Sequence, residues 1–209
     1  MIMTSVNRRK DAQAVRCCLT PRQRRAKRLF DIAASAFGLV LLSPVFLCVY
    51  VALKLQAKGS VIYRQERIGL GGKPFNILKF RTMTVDAESD GPQLEMENDP
   101  RLTPVGRFLR RRHLDELPQL WNVLRGDMSM VGYRPERSHF IAQIMQHDAR
   151  YECLYQMRPG ITSEATLYNG YTDTMDKMLE RLNLDLHYLE TASLRKDLGL
   201  ILRTFGVVW

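Results

Sequence analysis

The sequence has few cysteines, and none of them lies at a spacing that binds metal or forms a redox dithiol. Only four occur in 209 residues. Cys17 and Cys18 are adjacent, Cys48 lies in an apolar run, and Cys153 stands alone. A disulfide scaffold and a zinc ribbon are therefore excluded, since both need paired cysteines. The cysteine content fits a reducing, cytoplasmic environment.

Other signals of a specific chemistry are also missing. The four histidines show no metal-ligand spacing, and no Ser-His-Asp or Cys-His arrangement is recognisable. The sequence has no internal repeat and no second apolar run of membrane length. Because 45% of the residues are hydrophobic and 25% are charged, the composition is that of a folded protein.

Acidic residues are scarce at the N-terminus. Residues 1–28 hold nine lysines and arginines against one acid, Asp11, whereas the rest of the chain holds 22 bases and 21 acids. A nucleic-acid-binding protein would more often spread positive charge over a folded face. A basic arm directly before an apolar segment instead indicates contact with anionic lipid. We therefore expect anionic inner-leaflet lipids as partners, and no nucleic acid.

The apolar segment spans residues 29–53, with Asp31 as its one charged residue. It is long enough for a bilayer, and no small-residue cleavage site follows, so a signal peptide is a poor explanation. Ser43-Pro44 interrupts it, and both flanks are basic. A re-entrant helix–break–helix hairpin places both flanks in the cytoplasm. A kinked membrane span remains open, and a buried soluble helix is a third alternative. In the hairpin we expect Arg28 and Asp31 to pair at the membrane interface.

The remaining sequence predicts an α+β fold that is mostly helical, with a small strand content. Gly69–Gly72 is expected to be a plain turn, and the last helix is amphipathic, which suits core packing or an interfacial position. Strands are predicted over 60–64 and 74–80, a long loop over 84–104, and helices over 104–112, 115–124, 136–156, 174–191 and 193–205.

Asp115-Glu116-Leu117-Pro118 is the most informative short segment. Proline is tolerated only in the first turn of a helix, so a helix should begin near residues 115–117. Both carboxylates would then lie at its N-terminus, where the helix dipole favours anions. Ordinary N-capping by Asp115 explains the same pattern.

Many basic residues surround this carboxylate pair. Arginine pairs bidentately with phosphate oxygens, and Mg²⁺ is bound by one or two carboxylates together with substrate phosphates. The segment therefore suits a site for a multiply charged phosphate and a divalent cation, although each base taken singly is explained equally well as a surface or lipid contact. The basic residues are Lys79, Arg81, Arg101, Arg107, Arg110, Arg111, Arg112, Arg125, Arg134, Arg137 and Arg158.

Several ordered segments together resemble the bacterial sugar transferases called monotopic phosphoglycosyl transferases. The strongest is LDELPQLWNVLRGDMSM at 114–130, followed by Val131-Gly-Tyr-Arg-Pro135. The resemblance runs from about residue 27 to the C-terminus. Its other segments are Lys27–Asp31, Ser43-Pro44, Gln65-x-Arg67-x-Gly69, Phe75–Met83, Arg101–Gly106, Arg158–Thr162, and Asp185 with Tyr188.

The resemblance implies an enzyme that moves a sugar 1-phosphate from a nucleotide sugar, usually a UDP-sugar, to a polyprenyl phosphate. It implies that Asp115 attacks the sugar-bearing phosphorus and that Glu116 is associated with Mg²⁺, in a metal site shared with Asp115. It implies a hairpin broken at Ser43-Pro44 and a site at the cytoplasmic face of the bacterial inner membrane. The positions that match further site residues of the family are Lys79, Arg110, Arg134 and Asp185.

The expected organisation is a basic arm over 1–26, a re-entrant hairpin over 27–58 and a cytoplasmic catalytic domain over 59–209 with interfacial amphipathic helices, a minimal form of the family. Two features depart from the family pattern. Tyr133 stands where a proline is usual, and no arginine follows Gly170. A homodimer is left open. The alternative hypotheses are a non-enzymatic basic membrane adaptor and an acyl- or glycosyltransferase that acts by direct displacement.

Overall fold

The computed structural model describes residues 15–56, 59–84, 87, 99–169 and 174–208. Within these ranges the chain is mostly helical with two small sheets, which confirms the predicted α+β class. The α-helices are α1 Pro21–Leu41, α2 Ser43–Gln56, α3 Pro104–Arg111, α4 Gln119–Arg125, α5 Ser138–His147, α6 Glu164–Tyr168, α7 Met175–Thr191 and α8 Leu194–Val208. The strands are β1 Ile62–Ile68, β2 Pro74–Phe80, β3 Ser129–Val131 and β4 Gly160–Thr162.

The apolar segment forms two helices that meet at a sharp bend. Thr20 and Gln23 form a capping box at the start of α1, which begins six residues before the predicted boundary at 27. The helix ends at Leu41, with Leu42 as its C-cap directly before the predicted break at Ser43-Pro44, and α2 continues at an angle of 59° with Pro44 in its first turn. No single helix in the described ranges is long and apolar enough to cross a membrane, whereas this bent pair qualifies together on length and composition.

The two sides of this helix pair have different surroundings. On the inner side, Val49 and Leu53 of α2 pack with Phe80 and Leu109. On the outer side, large apolar side chains are exposed to 60% or more. Such an area of apolar surface marks an interaction site, since soluble monomers rarely leave one uncovered. The exposed residues are Leu29, Phe37, Val40, Leu41, Leu47 and Leu55.

The predicted pairing of Arg28 with Asp31 is wrong. The Arg28 guanidinium donates hydrogen bonds to the carbonyls of Val123 and Leu124, at 2.6 and 2.8 Å. These carbonyls lie in the last turn of α4, where positive charge is favoured, and the Val123 carbonyl also accepts the backbone N–H of Gly126. Asp31 is buried, and its Oδ1 accepts hydrogen bonds from the Ser129 hydroxyl and from the backbone N–H of Met130, both at 3.0 Å. Both residues therefore attach α1 to the rest of the protein.

The β1–β2 hairpin is longer than predicted. The strands are antiparallel, with Ile62 opposite Phe80 and Ile68 opposite Pro74. The predicted strand over 60–64 missed the second half of β1, because the Gln65–Arg67 segment is polar and is held by backbone pairing. The glycines at 69–72 form the connecting turn as predicted, with φ of 67° at Gly71.

Three helices agree with their predictions and two do not. The helices predicted over 104–112 and 174–191 appear within one residue of those bounds, and the last helix continues to Val208. The predicted helix over 136–156 is divided at Asp148, whose extended backbone separates α5 from a 3₁₀ segment. The predicted helix over 115–124 is also divided, into a 3₁₀ turn and α4.

Most of the predicted loop over 84–104 lies outside the described residues, as do residues 1–14 of the basic arm and Gly170.

The main core lies between α5, α7 and the 3₁₀ segment Ala149–Gln156. Its fully buried members include Tyr133, Leu154, Tyr188 and Leu189. The apolar stripe of α8 is only partly in this core, because Ile201 packs against it while Leu198 and Leu202 are 49% and 72% exposed. Core packing therefore explains only part of that stripe. Large apolar side chains are also exposed on α3 and α4, at Phe108 and Trp121.

Candidate active site

The local structure around Asp115 corrects the sequence prediction. Asp115 and Glu116 lie in a separate 3₁₀ turn, Leu114–Glu116, and α4 begins only at Gln119 after Pro118. His113 enters the turn in the left-handed conformation, with φ of 49°. Neither the turn nor α4 has a side-chain N-cap. The pair is therefore not at the start of an α-helix, and capping does not explain it.

Glu116 is bound by two cations. Its Oε1 lies 2.8 Å from Nζ of Lys79 and 3.4 Å from a guanidinium nitrogen of Arg134. Burial by itself raises the pKa of the Glu116 carboxyl, but the charges of Lys79 and Arg134 outweigh burial and hold that pKa well below its ordinary value. Glu116 is therefore ionised over the whole physiological pH range.

A small cleft opens beside this ion pair. It combines side chains from both strands of the hairpin, from the Asp115 turn, from α4 and from the segment after β3. Two of the predicted phosphate-binding residues, Lys79 and Arg134, line it, and the catalytic candidate Asp115 is next to it in the chain and 4% exposed. The lining residues are Arg67, Ile77, Lys79, Glu116, Gln119, Arg134, Pro135 and Gly160.

Arg110, a further predicted phosphate ligand, is held near the end of β2. Its Nε donates to the hydroxyl of Thr82, at 2.9 Å. Helix α3 approaches this segment very closely, because Gly106 lacks a side chain: a Cβ there would lie 1.9 Å from the Thr82 carbonyl oxygen. The glycine thus allows α3 to bring Arg110 to the strand that carries Lys79.

A buried ion cluster supports the Arg134 segment. Glu136 accepts from Arg67 at 3.0 Å and from Arg181 at 2.6 Å, and Arg67 also donates to the carbonyl of Pro135. Burial raises the pKa of the Glu136 carboxyl, and the charges of Arg181 and Arg67 reverse this and lower it. In the sequence Arg67 is recognisable only as part of a motif, and Glu136 and Arg181 are not predicted at all, since nothing in the spacing of these three residues indicates that they meet.

Asp185 lies beneath the same segment. It is 2% exposed, it accepts the backbone N–H of Arg134, and its Oδ1 has no hydrogen-bond partner among the residues that the structure describes. Burial raises the pKa of the Asp185 carboxyl to about 8, and the nearby charge of Arg181 opposes this only in part. Asp185 is thus placed to support Arg134 from behind the cleft.

Two predicted phosphate ligands lie elsewhere in the structure. Arg158 donates through Nε to the carbonyl of Gly126, at 2.9 Å, and so binds the end of α4 near Arg28. Arg81 lines a different small cleft, next to Leu53 at the end of the bent helix pair, and its Nε is buried without a partner in the described part of the chain. Neither residue lines the Glu116 cleft.

The carboxylates can be tested against the Mg²⁺ that the resemblance implies. Among the described residues there is no group of three or more His, Cys, Asp or Glu side chains that could hold a metal ion. Mg²⁺ does not require such a group, because it commonly takes one or two carboxylates together with substrate phosphates and water. Glu116 makes its described ion pairs through Oε1 only, which leaves Oε2 for a metal beside Asp115. The donor set fits Mg²⁺.

The structure thus combines Glu116 and two cations in a cleft, the buried Asp115 beside Glu116 in the chain, and an exposed apolar helix pair, which are features expected of an enzyme that acts on phosphates near lipid. Comparison with known proteins is more specific. Residues 22–209 match the bacterial sugar transferase family, and the chain belongs to that family. It is therefore a transferase, which confirms the predicted family and the prediction of an enzyme over an adaptor.

Three relatives illustrate the similarity. The chain is 44% identical to a UDP-glucose:undecaprenyl-phosphate glucose-1-phosphate transferase of Caulobacter vibrioides, over 85% of this chain and 67% of the relative. It is 42% identical to the protein of the same name in Escherichia coli K12, over 85% of this chain and 39% of the relative. It is 36% identical to a UDP-N-acetylgalactosamine-undecaprenyl-phosphate N-acetylgalactosaminephosphotransferase of Aeromonas hydrophila, over 87% of this chain and 43% of the relative.

Proposed function

We propose that this protein transfers a sugar 1-phosphate from a UDP-sugar to undecaprenyl phosphate and so initiates the synthesis of a glycoconjugate or exopolysaccharide. The observation that carries the proposal is the 3₁₀ turn of Asp115 and Glu116: Glu116 lines a cleft with Lys79 and Arg134, and the buried Asp115 precedes it in the chain. The names of the relatives support the donor and acceptor classes. UDP-glucose is the first donor to test, since it appears in the names of several relatives.

The proposed reaction has two steps. The Asp115 carboxylate attacks the sugar-bearing phosphorus of the donor, and the bond to the nucleotide breaks with release of UMP. A phosphate oxygen of the polyprenyl acceptor then attacks the phosphosugar on Asp115, which frees the carboxylate. Lys79 and Arg134 stabilise the phosphate charge that develops in both steps. Asp115 and Glu116 would hold Mg²⁺ with the donor phosphates, and the bound ion would reduce repulsion between the carboxylate and the anionic donor.

The bent helix pair is proposed to enter and leave the cytoplasmic leaflet of the bacterial inner membrane. Its exposed apolar side and its 59° bend support this hairpin topology. The exposed side chains of Trp121, Leu198 and Leu202 extend the apolar surface onto α4 and α8 and suit an interfacial position. The many bases before Asp31 favour anionic lipid headgroups. The site would then lie at the membrane surface, where the phosphate headgroup of a polyprenyl phosphate is located.

Intact-protein mass spectrometry tests the covalent route. Purified protein in nanodiscs is given Mg²⁺ and UDP-glucose, then UDP-N-acetylgalactosamine, and is quenched early. We expect an added sugar-phosphate mass that is absent in Asp115→Asn and is lost when polyprenyl phosphate is added. Asp176→Asn, an exposed acid on α7, is the matched control and should keep the adduct. Lipid-linked product without an adduct would favour direct displacement instead.

A further inference from the structure

Gln119 is a buried amide that the mechanism has not yet used. It is the first residue of α4, it is 2% exposed, and it lines the cleft beside Glu116. Its Nε2 is buried and finds no hydrogen-bond acceptor among the residues described in the structure. Buried polar groups are nearly always paired, so an unpaired one in a cleft requires an explanation.

Asn122, on the same helix and equally buried, shows how an amide with a structural role is hydrogen-bonded. Asn122 is 1% exposed and is fully engaged: its Oδ1 accepts from the backbone N–H of Leu78, and its Nδ2 donates to the carbonyl of Asn76 and to Asp127. These bonds join α4 to β2. Gln119 has no such role, and packing alone would be served as well by an apolar side chain of the same length.

The surroundings of Gln119 indicate which ligand group it meets. The charged members of the cleft besides Glu116 are the cations Arg67, Lys79 and Arg134. Such a cleft attracts anionic oxygens, and a neutral amide N–H is a good donor to a phosphate oxygen. A phosphate bound there would satisfy Nε2 and would lie against the same cations that neutralise its charge.

We infer that the Gln119 amide N–H donates a hydrogen bond to a phosphate oxygen of the nucleotide-sugar donor. The inference rests on the proposed function and adds a substrate-binding residue to it. Because a neutral donor does not repel the incoming Mg²⁺-bound diphosphate or compete for the Asp115 carboxylate, Gln119 can bind the phosphate without altering the ionisation of the carboxylate pair. The contact is to the diphosphate, so it should not depend on the sugar.

Two variants test the contact. Gln119→Met keeps the length of the side chain and removes the donor, and Gln119→Glu replaces the donor with an anion. We expect Gln119→Met to lose about 10- to 100-fold in kcat/KM for UDP-glucose, the range for a hydrogen bond to a charged group, and Gln119→Glu to lose more. Gln143→Met on α5 is the control: Gln143 is partly buried, its side chain makes an exposed hydrogen bond with His139 outside the cleft, and the variant should match the wild type.

Two further readouts separate this role from a structural one and from a sugar contact. The Tm of Gln119→Met should equal or exceed that of the wild type, since an unpaired buried donor is removed. The inhibition constant of UDP, which carries the diphosphate without a sugar, should rise by the same factor as the KM of UDP-glucose. An unchanged kcat/KM, a lowered Tm, or an unchanged UDP inhibition constant would each overturn the inference. If the wild type neither turns over nor binds any UDP-sugar, the proposed function fails with it.

Discussion

Nζ of Lys27 lies 2.5 Å from Oδ2 of Asp197, and both side chains are buried. The pair joins α1, which leads into the apolar helix bend, to α8 near the end of the chain. The hydroxyl of Tyr188 also donates to Asp197, so one carboxylate receives two buried donors from different helices. The bent helix pair is thereby fixed to the core and to the part of the chain that carries the site.

Removing one member of this pair should destabilise the protein strongly. Lys27→Met leaves the Asp197 carboxylate buried without its cation, which typically costs about 3–5 kcal/mol. Denaturant unfolding in micelles, monitored by near-UV circular dichroism, measures the loss. The double variant Lys27→Met/Asp197→Leu should be more stable than Lys27→Met alone. Equal stability of Lys27→Met and the wild type would contradict the role of the pair.

Gly106→Ala should disrupt the site through packing alone. The added Cβ would overlap the carbonyl of Thr82, so α3 must move away and Arg110 loses its position. We expect a loss of several kcal/mol in unfolding free energy, of the order seen for overpacked cores, and little turnover. Gly199→Ala is the matched control, because no atom lies within 4 Å of its added Cβ. It should be neutral or slightly stabilising, and similar losses in both variants would refute the argument.

Lys79→Met should change the pH dependence of turnover. Lys79 contributes to the low pKa of Glu116, so its removal raises that pKa, and Glu116 becomes protonated at a higher pH. The acid limb of the kcat/KM profile should therefore move toward neutral pH. At neutral pH, kcat/KM should fall about 10- to 100-fold as phosphate stabilisation is lost. Lys73→Met, at an exposed position in the β1–β2 turn, should keep the wild-type profile.

Asp185 should make the protein less stable as the pH rises. Its pKa is raised to about 8 in the folded state, so between pH 4 and that value the native protein holds a proton that the unfolded chain has released. Stability from this group is complete at low pH and is lost as the pH rises through the folded pKa, with a slope approaching about 1.4 kcal/mol per unit. Asp185→Asn removes the slope. Urea unfolding of both proteins at pH 5, 6 and 7 should show this difference, and parallel curves would contradict it.

The hairpin topology predicts that both ends of the apolar segment face the cytoplasm. Single cysteines are introduced near residues 5 and 58 in a background without the four native cysteines. In intact cells, an impermeant thiol reagent should label neither site, and it should label both after the membrane is opened. Labelling of the residue 5 site alone from outside would mean that the segment spans the membrane.

Local sequence patterns predicted those parts of the fold that depend on neighbours in the chain. The glycines at 69–72 form their turn, the apolar period of 174–191 forms α7, and the proline at 44 marks the bend. Each of these follows from backbone preferences within a few residues. The same reasoning was wrong at 115–124, where a 3₁₀ turn and a short α-helix replace one continuous helix.

Contacts between distant residues could not be predicted in this way. Asp31 and Arg28 are three residues apart on one helix, which indicated a local pair, but each is hydrogen-bonded to a residue almost a hundred positions away. Glu136 likewise appears in the sequence as an ordinary charge, although it binds two arginines from β1 and α7. The roles given to Asp115, Glu116 and their basic neighbours remain predictions for the experiments above.

The sequence by itself determined the family, the apolar segment with its bend and the carboxylate pair, because these are properties of composition, spacing and motif. Only the tertiary structure decided which cations meet Glu116, and that Arg158 and Arg81 lie outside that cleft. It also decided that Nε2 of Gln119 is buried beside Glu116 with no hydrogen-bond partner among the described residues. The physical reason is that burial and ion pairing depend on how separate elements pack against one another. The charge of a side chain follows from the residue type, whereas its partner and its exposure to water are set only when the chain folds.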